Sequence, residues 1–77
     1  MALIRSFEKK NIDRASTHDP IDAKYAVIEK DGRILLQIDT YGRSSREHPE
    51  KVSQSLQFDR KSAEELYRII KKEFNFD

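Results

Sequence analysis

Apolar and polar residues alternate along the middle of the chain, in a pattern that predicts β-strands. Residues 21–30 are rich in β-forming side chains and run into Asp31 and Gly32, a dipeptide that favours the positive φ angles of a two-residue hairpin turn. The return strand covers residues 33–41, and its side chains point alternately to the two faces of the sheet. One face consists of Ile34, Leu36, Ile38 and Thr40. We expect this apolar face to form the core.

The C-terminal third of the chain predicts a further strand and one helix. Residues 52–58 alternate strictly between the two faces of a strand. The side expected to face the core consists of Val52, Gln54, Leu56 and Phe58. Asp59 offers an N-cap for a helix that extends through Phe74, while Ser62 and Glu65 form a competing capping-box frame. Apolar side chains recur at helical spacing at Ala63, Leu66, Ile69, Ile70 and Phe74.

Two polar stretches separate these elements. Residues 2–7 alternate and predict an edge strand, whereas residues 9–20 are polar and end at a proline, as a loop does. Residues 42–50 form the second polar stretch and predict a loop that connects two strands across solvent.

These elements predict a single domain over residues 1–77, with an irregular segment at 1–20 and a sheet-plus-helix core at 21–74. The apolar face of the sheet needs a cover, and the helix provides one. The predicted fold class is therefore α+β. It is a twisted antiparallel sheet of three to four strands followed by one C-terminal helix packed on one face, in the order ββββα.

The composition limits what such a chain can do. Its 77 residues include 15 Lys and Arg against 14 Asp and Glu, which gives a formal net charge of +1. This charge is too small to attract nucleic acid by itself, so binding would depend on a local arrangement of cations. A chain of this length has one modest core, and a second copy would help to bury its apolar surface. We therefore expect a homodimer, with a contact formed by Leu66, Ile69, Ile70 and Phe74 of the helix.

Several kinds of chemistry are not predicted. The sequence has no cysteine for a disulfide framework or a thiolate metal site, which is typical of a cytoplasmic protein. No apolar run is long enough for a signal peptide or a membrane span. His18 and His48 have no other metal ligands at suitable spacing. The two glycines of the chain do not form a phosphate-binding loop. No serine accompanies the His–carboxylate pair that a catalytic nucleophile needs. We expect no metal, no cofactor and no enzymatic activity.

The face of the sheet opposite the core is expected to be open and rich in hydrogen-bonding groups. It consists of Arg33, Leu35, Gln37, Asp39, Tyr41, Ser53, Ser55 and Gln57. A basic set with one aromatic ring surrounds it, namely Arg33, Tyr41, Arg43, Arg46 and Lys51. Surfaces that bind single-stranded nucleic acid combine cations for the phosphates with rings that stack on bases. A protein partner or water alone would fit the same face, so these alternatives stay open.

The order of elements between Lys24 and Phe74 resembles the single-stranded DNA-binding domain of the transcriptional coactivator positive cofactor four family. The similarity rests on KYAVIEKDGRILLQIDTYG, a polar loop, and KVSQSLQFDRKSAEELYRII. It implies a homodimer with paired helices, an open sheet face that forms a channel for unpaired DNA, a backbone contact for Arg33 and an aromatic position near Tyr41. The chain departs from the family pattern where Asp31, Asp39 and Gly42 replace basic or aromatic residues.

The chain is also similar to small bacterial proteins labelled as methionyl-tRNA formyltransferase-like, but it is too short for the folate-binding and catalytic apparatus of such an enzyme. The leading hypothesis is a small non-enzymatic protein that binds single-stranded DNA or RNA, in transcription or nucleic-acid maintenance. The alternative is a protein-interaction module that docks a partner on the open sheet face or on a sheet edge.

Overall fold

A computed structural model describes residues 1–42 and 51–77 of the chain. Its elements are β1 (Ala2–Ile4), β2 (Ala23–Lys30), β3 (Arg33–Tyr41), β4 (Val52–Phe58) and α1 (Arg60–Glu73). Four strands followed by one C-terminal helix confirm the predicted α+β fold in the order ββββα. The strands form one sheet in the spatial order β1-β4-β3-β2.

The hairpin between β2 and β3 forms as its turn residues predict. Asp31 and Gly32 have φ angles of 54° and 76°, and positive values at both central residues are what a type I′ turn requires. Lys30 pairs with Arg33 directly behind the turn, and the antiparallel register continues to Ala23 opposite Thr40. The turn therefore fixes which side chains of the two strands become neighbours.

The first strand differs from the antiparallel sheet that was predicted. β1 lies at the edge of the sheet and runs parallel to β4, with Ala2 opposite Leu56 and Ile4 opposite Phe58. The sheet is therefore mixed. Parallel neighbours need a long connection rather than a tight turn, and the segment at 5–22 is long enough to carry the chain from one edge of the sheet to the other.

The segment after β1 runs over the end of the sheet towards the helix. Phe7 stacks on Phe58, with ring centroids 6.4 Å apart and an interplanar angle of 7°. Lys9 Nζ then lies 3.6 Å from Glu73 Oε2 in the last turn of α1, although both side chains are at least half exposed. An exposed pair of this kind stabilises a fold little, so the contact of Phe7 with Phe58 contributes more to holding this part of the segment than the Lys9–Glu73 pair does.

The helix begins at a capping box. The Asp59 carboxylate accepts a hydrogen bond from the Ser62 backbone N–H at 2.9 Å, and the Asp59 backbone N–H donates to Ser62 Oγ at 3.1 Å. This reciprocal arrangement satisfies two of the free N–H groups at a helix start. Asp59 is therefore the N-cap, and the competing frame of Ser62 with Glu65 is wrong, because Ser62 is fully buried as the partner of Asp59.

Acid should weaken this cap. The Asp59 pKa lies below its ordinary value of 3.8, chiefly because the Ser62 backbone N–H donates to the carboxylate; the positive charge of Arg33 acts in the same direction. Since the folded pKa is depressed, the stabilisation is present above about pH 3.8 and is lost as the pH falls through the folded value. Asp59→Asn keeps a capping side chain without a titrating one. We expect the stability difference between wild type and Asp59→Asn, measured by urea unfolding from about pH 6 to pH 2, to shrink at the acid end. A difference that is constant with pH would contradict this.

The core of the single chain is small. Of the described apolar residues, only Leu35 and Phe58 are buried, at 6% and 4% exposure. Ile34, predicted to lie in the core, is 61% exposed. The helix contacts β3 and β4, but its apolar stripe from Leu66 to Phe74 is only half-buried at its start and exposed beyond. The helix therefore covers only part of the apolar face.

The burial of Leu35 corrects its assignment to the open face. In the register of the hairpin, Leu35 lies opposite Ile28, which is half-buried. Alternation places this apolar pair on the same side as Gln37, but the pair lies at the hairpin end of the sheet, where both faces carry apolar side chains. The polar part of that face therefore begins at Gln37 and extends away from the hairpin.

Candidate nucleic-acid interface

Two of the five residues predicted to bind nucleic acid lie at the same end of two neighbouring strands. Tyr41 ends β3 and pairs with Val52, and Lys51 immediately precedes Val52 on the neighbouring strand. Arg33 lies at the other end of β3, roughly 26 Å away along an extended strand. Arg43 and Arg46 fall outside the described residues.

Sequence reasoning missed one residue of the site, Lys24. Its ammonium lies 5.4 Å from the centroid of the Tyr41 ring, within the range of a cation–π contact. Lys24 pairs with Asp39 in the hairpin register, diagonally opposite Tyr41. The sequence contains the signal for it, because counting paired residues back from the Asp31–Gly32 turn places Lys24 opposite Asp39 and therefore next to Tyr41. We call the group formed by Tyr41, Lys24 and Lys51 the Tyr41 cluster.

A β-bulge lies inside this cluster. The pairing of Thr40 with Gln54 is followed by that of Tyr41 with Val52, so the register shifts and Ser53 has no opposite residue. Bulges increase the local twist and redirect side chains, and they are common beside functional sites. The extra residue is in β4, so the bulge places Val52 on the same face as Tyr41 and Asp39. The prediction that Val52 faces the core with Gln54 and Leu56 is therefore wrong.

Next to the cluster, four polar side chains share one face of the central strands. Gln37 pairs with Gln57, and Asp39 pairs with Ser55. Gln57 Nε2 donates to Gln37 Oε1 at 2.9 Å, and Gln37 Nε2 donates to Asp39 Oδ1 at 3.0 Å and, less directly, to Oδ2 at 3.3 Å. We call these four residues the polar shelf. The shelf lies in an open depression of about 490 Å³, which Leu3 and Val52 also line.

Neither a group of possible metal ligands nor a membrane-spanning helix occurs among the described residues. Within 1–42 and 51–77, no three His, Cys, Asp or Glu side chains come together as possible ligands. The one helix of these ranges is too short and too polar to cross a bilayer.

Comparisons of the chain with protein-family models, with curated proteins and with solved structures found no match. The structure defines the class as an α+β domain with a mixed four-stranded sheet, one helix and a polar sheet face that is open beside an aromatic–cation cluster. The resemblance to the positive cofactor four family stays a prediction from the residue pattern.

Proposed function

We propose that this chain is a small non-enzymatic protein that acts as a homodimer and binds single-stranded nucleic acid along the open face of its sheet. The observation that carries the proposal is the Tyr41 cluster beside the polar shelf. An aromatic ring, two ammonium groups and a row of hydrogen-bonding side chains are the parts that surfaces for unpaired strands combine.

The cluster offers both kinds of contact that an unpaired strand needs. A base that stacks on Tyr41 would contribute about 1–3 kcal/mol, independent of its sequence. Lys24 and Lys51 would neutralise phosphates, and each phosphate contact with a single strand lowers the log–log slope of affinity against salt by about 0.7. These two lysines alone therefore predict a slope of about −1.4. Arg33, at the far end of β3, would meet the same strand several nucleotides away.

The extent of exposed surface supports the homodimer. The accessible surface of the chain is 7426 Å², whereas a compact monomer of 9.1 kDa exposes about 4,900 Å². The radius of gyration is 14.8 Å, against about 11.5 Å for a compact chain of this length. The polar segment at 8–22 is exposed throughout and accounts for part of the excess. A stable interface buries about 800 Å² on each partner, which is about a third of the total excess.

The helix supplies the apolar part of that surface. Exposure rises along the stripe of residues four apart, from the half-buried Leu66 to Ile70 at 37% and Phe74 at 69%. A second copy on this helix would cover the exposed part of this stripe.

A matched pair of tyrosine variants tests the nucleic-acid contact. Tyr41→Ala should weaken binding of a labelled single-stranded oligonucleotide by about 1–3 kcal/mol at every salt concentration, because the lost stacking is not electrostatic. Tyr67→Ala is the control, since Tyr67 also has a lysine over its ring, with Lys71 Nζ 6.0 Å from the centroid, but lies on the helix. Fluorescence anisotropy over a salt series gives both the affinity and the slope. Equal losses in the two variants, or no binding by wild type at low salt, would overturn the proposal.

A specific feature favours the alternative of a protein-interaction module. β2 is eight residues long and forms the edge of the sheet, and no other described strand pairs with its outer side. Tyr25 and Val27 are exposed on it. Free edges of this length accept an extended chain from a partner by strand addition. In this alternative the chain would show no affinity for oligonucleotides. Val27→Pro would abolish partner binding, because Val27 and Leu36 form a non-hydrogen-bonded pair of the hairpin and the Val27 N–H therefore points to the free edge.

A further inference from the structure

The hydrogen bonds of the polar shelf have a fixed direction. A carboxylate only accepts hydrogen bonds, so the Gln37 side-chain nitrogen must face Asp39, where it lies 3.0 Å from Oδ1. This orientation turns Gln37 Oε1 towards Gln57, whose nitrogen donates to it at 2.9 Å. The row therefore runs from Gln57 as donor, through Gln37, to Asp39 as the final acceptor.

Both ends of this row still accept hydrogen bonds. Each oxygen of the Asp39 carboxylate has a lone pair beyond the one that faces Gln37, and Gln57 Oε1 is not engaged by Gln37. Asp39 is half-buried and lines the open depression of about 490 Å³, which is within the usual size range of small-ligand sites. A ligand that suits this shelf must bring donors, and two donors side by side would bind a carboxylate most strongly.

Of the nucleic-acid bases, guanine has this pattern on its Watson–Crick edge, where N1–H and the N2 amino group are adjacent donors. Adenine and cytosine each place a ring acceptor beside their amino group, and the imide N–H of thymine lies between two carbonyl oxygens. Those acceptors would face the negative charge of Asp39. Bases of unpaired strands are read on this edge, so the shelf favours guanine over the other three.

The position of the shelf agrees with this reading. Asp39 precedes Tyr41 by two residues on β3, about 6.6 Å along the strand. That is close to the spacing of successive bases in an extended strand, so one base can stack on Tyr41 while its neighbour reaches Asp39. We infer that Asp39, oriented by Gln37 and Gln57, recognises a guanine base in the bound single strand. This inference rests on the proposed function, because the shelf is reached by a strand held at the Tyr41 cluster.

Oligonucleotides that differ at one central run of bases test the inference. We expect thymidine oligonucleotides with central guanines to bind wild type about tenfold more tightly than those with adenines or cytosines. Inosine lacks only the 2-amino group of guanine and should lose most of this preference. Asp39→Asn keeps the size of the side chain and should abolish the preference. Glu29→Gln is the control. Glu29 pairs with Ile34, and both lie on the face of the sheet away from Asp39, so this change removes one negative charge without touching the shelf. It should leave the guanine preference intact.

The outcomes separate this inference from the proposed function. Equal affinity of wild type for the guanine, inosine, adenine and cytosine oligonucleotides would overturn guanine recognition and leave strand binding in place. Absence of binding to every oligonucleotide at low salt would overturn both. The inosine comparison uses the wild-type chain, so it decides the matter even if Asp39→Asn does not fold.

Discussion

An Ile70→Asp variant is expected to be monomeric at concentrations where the wild-type chain is a dimer. Ile70 lies in the middle of the apolar stripe of α1 and is 37% exposed in the single chain. Full burial of an isoleucine side chain contributes about 1.5–3 kcal/mol, so covering the exposed third of Ile70 contributes about 0.6–1.1 kcal/mol per copy. A two-fold contact loses this twice, or about 1–2 kcal/mol, which weakens the dimer roughly five- to fortyfold before the cost of desolvating the new carboxylate is added. Light scattering coupled to size-exclusion chromatography measures the change.

Lys72→Asp provides the matched control for this helix. Lys72 is exposed two residues further along α1 and outside the apolar stripe, so the same new carboxylate should leave the dimer intact at moderate salt. Circular dichroism of both variants shows whether the fold is kept. A wild-type chain that stays monomeric up to high concentration would refute the dimer, whereas the fold described above would be unaffected.

Removal of the Phe58 ring should cost most of the stability of the chain. Phe58 is one of the two buried apolar side chains among the described residues, and its ring stacks on Phe7. Truncation of a buried phenylalanine to alanine costs about 3–5 kcal/mol, and a domain of this length has only about 4–12 kcal/mol in total. We expect Phe58→Ala to be partly or wholly unfolded at room temperature. Urea unfolding followed by circular dichroism checks this result.

Phe76→Ala removes the same ring from an exposed position. Phe76 is 59% exposed and stacks on Phe74, with centroids 5.7 Å apart, after the end of the helix. Phe76→Ala should lower the free energy of unfolding by well under half as much as Phe58→Ala, since most of the Phe76 side chain stays exposed in the folded chain. Similar losses in the two variants would mean that the core lies elsewhere than at the end of β4.

Local signals in the sequence explain which parts of the fold were predictable. Asp31 and Gly32 specify their turn through the φ angles they adopt, and Asp59 starts the helix through a bond to a residue three positions away. The pairing of Ala2 with Leu56 has no such local signal. A parallel edge strand of three residues depends on tertiary contacts, so the sequence pattern identified a strand but not its neighbour or its direction.

In the candidate site too, some features were predictable from the sequence and others were not. Tyr41 and Lys51 end up close together because consecutive antiparallel strands bring their connected ends to one edge, which the chain order already implied. Burial was less predictable. Alternation assigns a residue to a face of the sheet, but it does not say how much of that face the helix covers. For this reason Ile34 was expected to be buried and is exposed. Leu35, beside Ile28 on the opposite face, was expected to be open and is buried.

The strand order has a consequence for how the chain folds. β1 is synthesised before the other three strands, yet its partner β4 follows about fifty residues later. The hairpin of β2 and β3 is local and can close within microseconds, and β4 then adds to β3. Pairing of β1 must wait, because closing so long a loop carries an entropy cost that only the assembled sheet offsets. The first of the four strands to be synthesised is thus the last to be fixed in the sheet.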